Sequence, residues 1–378
     1  MLASNGEIKR LKEEVRDLLQ FEDKYINWLR LTSTYSDTEV SEVLERRKKA
    51  PSLKLSKLNK DYLSKFLNAH IIEITRKEVF SNSYLSNIKC SKAVKNGLMI
   101  CSDRIMPNDS VSTYEEAPRD FKTFRQKRRY FYCKDTLLLP ILTDLNTLNT
   151  WMTVEPFEIN SFEKFIKRAS GNVLLLGCGL GYVSYMLSQK SNVDSIIVID
   201  NNQDIIDLFN EKILPQFPNK DKITVMNCDG LSFLETADLS KFDCINLDIW
   251  RDISDMLLPY FSTLEIEKKN SSVRFSYWFE ERLKEEVQNG ILKRVAYDDI
   301  VLDKLSIPER IGAYLVDNTP INNRTDLQNL MRLDNFRELM LGWYQDNKDE
   351  VLSFVQKEEE FEKSIKKTLV TYDGIKHL

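Results

Sequence analysis

The sequence predicts an α/β protein with a Rossmann-like, doubly wound and mostly parallel sheet, a helical N-terminal region and a helix-rich C-terminal extension. Three observations carry that expectation. Residues 173–176 (Val-Leu-Leu-Leu) are an unbroken apolar run, the pattern of a parallel strand covered on both faces. The run ends in three glycines spaced two apart, Gly177, Gly179 and Gly181, and a helical pattern follows over 183–189. Further apolar segments then recur at 195–200, 223–227 and 242–250, each with an acid at or just past its end.

The elements ahead of the glycines read mainly as helix. Apolar residues at 8, 11, 15, 18, 19, 26 and 29 predict an amphipathic helix over about 7–31. Ser36-Asp-Thr-Glu39 has the form of a capping box before a second helix that ends near Ala50-Pro51. Asn59 is a candidate cap for a third helix through about Phe80, which would include His70. Residues 98–101 and 129–133 read as strands of a small β-element, and 137–142, interrupted by Pro140, is too short for a long helix. A helix is expected from Asn160-Ser161 through Arg168. Beyond 250 the pattern gives a helix to about 264, a fifth strand over 272–279 and a helix to 288, with no clear sixth or seventh strand. This divides the chain into an N-terminal region (1–150), a Rossmann-like domain (151–290) and a C-terminal extension (291–378).

The glycine turn is a cradle. Without a Cβ, Gly177, Gly179 and Gly181 let backbone approach a ligand, and the N–H groups of the next helix point back at the turn. A dinucleotide fingerprint requires G-x-G-x-x-G, but Tyr182 stands where its third glycine would be. A phosphate loop requires Lys followed by Ser or Thr, and neither is present. The remaining common owner of such a turn is S-adenosylmethionine (SAM).

The acids that follow extend the cradle. Asp200, 19 residues after Gly181, ends the second strand and can accept from two ribose hydroxyls, or cap the helix starting near Gln203. Asn201 is its neighbour. Cys228, Asp229 and Gly230 follow the third strand, where an acid suits an adenine amino group. Asp248 ends the fourth strand, with Trp250 and Asp252 just beyond as candidate substrate contacts. Open parallel sheets bind ligands past the carboxyl ends of their strands, so these residues, with Cys178 and Tyr182, form one candidate site. Ahead of the first strand, Glu155 and Glu158 are candidate contacts for a cation and Trp151 for a flat or sulfonium surface.

From about Gly171 to Glu280 this pattern resembles the class I SAM-dependent methyltransferase superfamily, and within it most the spermidine synthase (polyamine aminopropyltransferase) branch. The shared features are Asp200, the helix with Leu214-Pro215 at its end, Asp229-Gly230 leading into Phe233-Leu234, and Asp248. The resemblance implies that Asp200 holds ribose, Asp229 adenine, and that Asp248 faces the reaction centre. It is incomplete. The branch has an acid between its second and third glycines, where this chain has Leu180, and a second acid where this chain has Arg251.

Composition narrows the function. The 378 residues carry 42% hydrophobic and 30% charged side chains, ordinary for a globular protein of several parts. No apolar run approaches the ~18 residues that cross a bilayer, and the start lacks a secretory pattern, so a cytoplasmic protein with no membrane partner is expected. Six cysteines without a C-x-x-C pair agree with a reducing compartment. Only two histidines, His70 and His377, argue against histidine catalysis and a histidine-rich metal site. Residues 1–134 hold 27 basic against 18 acidic side chains. Their densest run, 119–134, interleaves Arg125, Lys127, Arg128 and Arg129 with aromatics, which makes nucleic acid a conceivable but unfavoured partner.

The leading expectation is a SAM-dependent methyltransferase acting on a small molecule or protein, with Asp248 as base or acceptor anchor. The alternatives are an aminopropyltransferase using decarboxylated SAM, and a non-catalytic binding protein that keeps the fold. The oligomeric state is not readable from the sequence.

Overall fold

A computed structural model describes residues 5–34, 70–105, 112–116, 119–126, 128–133, 135–146 and 149–357. The chain forms two compact units: Glu13–Asp248 with Ser272–Trp278, and Met1–Lys12 with Ile249–Ser271 and Phe279–Leu378. The capping box at 36–39 and the helix after it, Lys127 and His377 lie outside the described residues.

The chain begins with α1 (Asn5–Thr34), slightly longer than its periodicity predicts, with Leu11, Val15, Leu18 and Leu19 buried. Next come β1 (His70–Ile74), the short helices α2 (Arg76–Val79) and α3 (Ser83–Asn87), and β2 (Ala93–Lys95). The reading of one helix from Asn59 to Phe80 is corrected here. Ile71, Ile72 and Ile74 are β-branched, and they pair in parallel with β5 (Arg128–Cys133) instead of continuing a helix. Thr75 then starts α2 with a reciprocal capping box to Glu78.

The two predicted strands of the small β-element fall in different sheets. In one, β5 lies between β1 and β4 (Ser112–Glu116). In the other, β3 (Leu98–Ile105) lies between β2 and β6 (Leu137–Asp144), and β7 (Asn149–Thr153) completes the antiparallel order β2-β3-β6-β7. Pro140 lies one residue past the last β6–β7 register pair, Ile141–Thr153, and its carbonyl still accepts from Val154 N–H at 2.9 Å, a bond that needs no N–H from proline.

The parallel sheet has the predicted strands. They are β8 (Gly171–Leu176), β9 (Val193–Asp200), β10 (Ile223–Asn227), β11 (Cys244–Leu247) and β12 (Arg274–Tyr277). Their order is β10-β9-β8-β11-β12, every neighbouring pair parallel. The chain winds outward from β8 to β10 and returns to β11, so the switch point lies between β8 and β11. Val173, Leu174, Leu175 and Leu176 are all buried, as a strand covered on both faces requires. The sheet stops at five strands among the described residues.

The helix before β8, α4, runs Pro156–Arg168 and so starts four residues earlier than read from sequence. Pro156 occupies its first turn, where a missing N–H costs nothing. Trp278 stacks on Phe162 of α4 at 6.3 Å and donates from Nε1 to Ser161 Oγ at 3.0 Å. The helices after the strands are α5 (Tyr182–Ser188), α6 (Gln203–Leu208) and α7 (Gly230–Thr236).

The second unit is helical: α8 (Ile253–Lys269), α9 (Glu280–Ala296), α10 (Ile307–Asp317), α11 (Arg324–Arg332) and α12 (Phe336–Asp346). Where α9 crosses α10, a Cβ on Gly290 would strike the backbone of Glu309, and one on Gly312 the backbone of Val287. Phe261 stacks on Tyr344 at 4.3 Å, and Arg337 joins Glu267 and Glu280 at 2.6 and 2.7 Å. No helix among the described residues is long and apolar enough to cross a membrane.

Candidate functional site

The carboxyl rim of the parallel sheet is fixed by backbone bonds that continue past the strands. Gly177 N–H donates to Ile199 O at 2.8 Å, Cys228 N–H to Asp200 O at 3.1 Å, and Asp248 N–H to Leu176 O at 2.9 Å. The three segments bearing the predicted acids are therefore held side by side before any ligand arrives.

The glycines are required by geometry. Gly177, Gly179 and Gly181 have φ of +102°, +48° and +71°, a region costly for residues with a Cβ. A Cβ on Gly177 would also overlap the carbonyl oxygen of Asp248, and one on Gly181 the ring of Phe209. Gly177→Ala is expected to lower stability by about 3 kcal/mol, the sum of an unfavourable φ and a clash with rigid backbone. Chemical denaturation of the purified variant measures it.

Asp200 does not cap α6. That role falls to Asn202, whose side chain accepts from the N–H groups of Asp204 and Ile205. The carboxylate of Asp200 instead spans the gap between two strand ends. Oδ2 accepts from Cys178 N–H at 2.9 Å and Oδ1 from Asn202 N–H at 2.8 Å. Burial pushes its pKa up, and the two N–H bonds oppose that rise. Each oxygen keeps a lone pair with which to accept a hydroxyl.

Asp248 is partly buried beside Gly177. Its carboxyl is pushed up to about 7, first by burial and then by the charge of Asp200, and no hydrogen bond relieves it. Glu158, in the first turn of α4, is held well above the usual range by burial, then by the charges of Asp248 and Glu155. Glu155, at the N-cap position, makes no capping bond, and burial raises its pKa too. These four carboxyls are electrostatically linked, and among the described residues no cationic side chain contributes to any of their shifts. Such a cluster is expensive unless protonated or matched by positive charge from outside.

The other predicted residues are less central. Asp229 is exposed and caps α7 by accepting from Ser232 N–H at 2.8 Å, which lowers its pKa. Gly230 is buried, yet a Cβ there would meet only the Leu176 side chain at 3.4 Å. Cys228 is partly buried and Asn201 exposed. Cys178 is buried, and burial with the charge of Asp200 pushes its thiol well up, which makes it unreactive packing. Tyr182 is buried and its hydroxyl accepts from Asn82 Nδ2 at 3.3 Å. Trp151 is 44% exposed. Trp250 (buried) and Asp252 (exposed) belong to the helical unit, where Asp252 N–H donates to Asp255. Arg251, in the place of the family's second acid, is paired with Asp255 at 3.1 Å.

Two contacts had no sequence signal. Tyr84 of α3 donates from its hydroxyl to Leu180 O at 2.5 Å, and Leu180 N–H donates to the Met152 sulfur at 3.2 Å. The two peptide units that flank Leu180, between the second and third glycines, are thus each bonded by a residue that precedes β8. Among the described residues no group of three His, Cys, Asp or Glu side chains could hold a metal ion.

Residues 158–263 match the family described as spermine/spermidine synthase domain. No curated protein matches the chain. Among solved structures, spermidine synthase from Thermotoga maritima aligns at 12% identity and a TM-score of 0.27. A spermidine synthase in complex with the transition state analogue AdoDATO gives the same identity and score. Each alignment covers 43% of this chain and 58% of the other, so the chain spans little more than half the length of those proteins. In the order of its rim acids and in the domain match over 158–263, the chain is similar to the spermidine synthase branch of the class I methyltransferase-like fold.

Proposed function

We propose that this chain transfers an aminopropyl group from decarboxylated SAM to a small cationic amine. The observation that carries the reading is the run of four carboxyls, Glu155, Glu158, Asp248 and Asp200, with no cationic partner among the described residues. Their chemistry favours a ligand that brings positive charge and opposes one that brings a carboxylate. SAM carries an amino-acid carboxylate and its decarboxylated form does not. The cluster and the spermine/spermidine synthase match therefore support aminopropyl transfer over the methyl transfer that the glycine turn first suggested.

The residues fit such a donor. Asp200 offers two acceptor oxygens for ribose hydroxyls, and the glycines leave backbone without side chains beside it. Asp229 remains the candidate for the adenine amino group, sharing its carboxylate with the α7 cap. A sulfonium donor, when bound, supplies a carbon already activated for displacement by a nucleophile. The chain's own task is then to hold the acceptor in line and take its proton. A protonated amine has no lone pair, and Asp248, with a pKa near 7, is poised to receive that proton at neutral pH. Glu155 and Glu158 would hold the amine's remaining positive charge, a role the family gives to the acids that Leu180 and Arg251 replace here. The six cysteines, all free, support a cytoplasmic setting.

Product analysis tests the reaction class. The chain is incubated with a diamine and either SAM or decarboxylated SAM, and the nucleoside product is identified. Methylthioadenosine from the decarboxylated donor is expected. S-adenosylhomocysteine from SAM would establish the methyl reading instead, and failure to bind any adenosyl compound would leave a non-catalytic protein.

A further inference from the structure

The Leu180 peptide is where this chain departs from the family pattern, and it is also where the chain's own Met152 is seated. The sulfur of Met152 accepts from Leu180 N–H at 3.2 Å. It also fills the space on Gly179, where an added Cβ would lie only 2.5 Å from it. Met152 comes from β7, the last strand of the antiparallel sheet, and is partly buried. Buried Tyr84 holds Leu180 O, in the next peptide unit, so Leu180 is bonded through both its N–H and its carbonyl.

A glycine peptide with an open N–H is a natural partner for a carboxylate, because no side chain stands between donor and anion. Here that N–H is occupied by a neutral, polarizable and apolar group. A carboxylate approaching it would lose water and find neither a free donor nor space. A chain without that carboxylate meets only a thioether.

We propose that Met152 is a specificity-determining residue that excludes adenosyl donors carrying an amino-acid carboxylate by occupying the Gly179–Leu180 peptide. The proposal rests on the adenosyl-site reading above.

Calorimetric titration with three probes separates the two ideas: methylthioadenosine, SAM and decarboxylated SAM. Methylthioadenosine has no amino-acid part and reports only whether the adenosyl site exists. In the wild-type chain decarboxylated SAM should bind at least about tenfold tighter than SAM, the scale of one unsatisfied buried polar contact. In Met152→Ala that ratio should narrow by about tenfold while methylthioadenosine affinity stays within about twofold. Met152→Leu, which keeps the bulk, should hold the wild-type ratio and shows that the change is not a folding effect. An unchanged ratio in Met152→Ala, with methylthioadenosine still bound, overturns the role of Met152 and spares the adenosyl site. Equal relaxation in Met152→Leu overturns exclusion by occupied space. Absence of methylthioadenosine binding in the wild type overturns the site and the inference together.

Discussion

Asp248→Asn should lower kcat/KM for amine transfer by about 10²–10³-fold, the range expected when a positioned base is lost. The wild-type profile should rise through pH 7 as the Asp248 carboxyl ionises, and that limb should disappear in the variant. The same substitution should stabilise the ligand-free protein. Asp248 has a folded pKa of about 7 against an ordinary 3.8, so between those values the folded chain binds more protons than the unfolded one. Its contribution to stability is fully present below pH 3.8 and is lost as pH rises to about 7. An asparagine carries no such burden. At pH 8 the variant should gain roughly 1–3 kcal/mol, and at pH 4 the two proteins should be nearly equal. Thermal melts at both pH values measure this, and a variant that loses both activity and stability at pH 8 would contradict it.

The second large effect is expected at Asp200. Asp200→Asn keeps the volume but removes the charge that two ribose hydroxyls would meet. Charge-assisted hydrogen bonds contribute about 1.5–3 kcal/mol each, so methylthioadenosine affinity should fall by about 10²-fold. A second consequence follows from the coupling of the two acids. Asp200 raises the pKa of Asp248, so its neutralisation should move the limb near pH 7 to lower pH. Weak binding with an unmoved limb would mean that the carboxyls do not share a site.

The sheet was legible because its signals are local. The apolar run 173–176, the alternation of glycines and the boundaries of β10 each follow from the burial or backbone demands of a few adjacent residues. The start of α4 carries a local signal too, Pro156, which suits a first helical turn four residues ahead of Asn160. The strand His70–Ile74 was not, because its partner β5 lies almost sixty residues onward and a short run rich in isoleucine suits helix or strand alike. At the site, Asp200 and Asp248 were readable from their places at strand ends. The lack of a cationic partner beside them among the described residues was not, since it depends on which side chains fail to approach. Met152 and Tyr84 carried no signal, because each acts through one peptide distant in sequence.

The backbone bonds that lace Gly177, Cys228 and Asp248 to neighbouring strands bear on how the rim behaves when empty. Their amides should exchange with deuterated solvent as slowly as those of the central strands, with or without nucleoside. Association would then order side chains and solvent but little main chain, so a larger share of the contact energy remains as affinity.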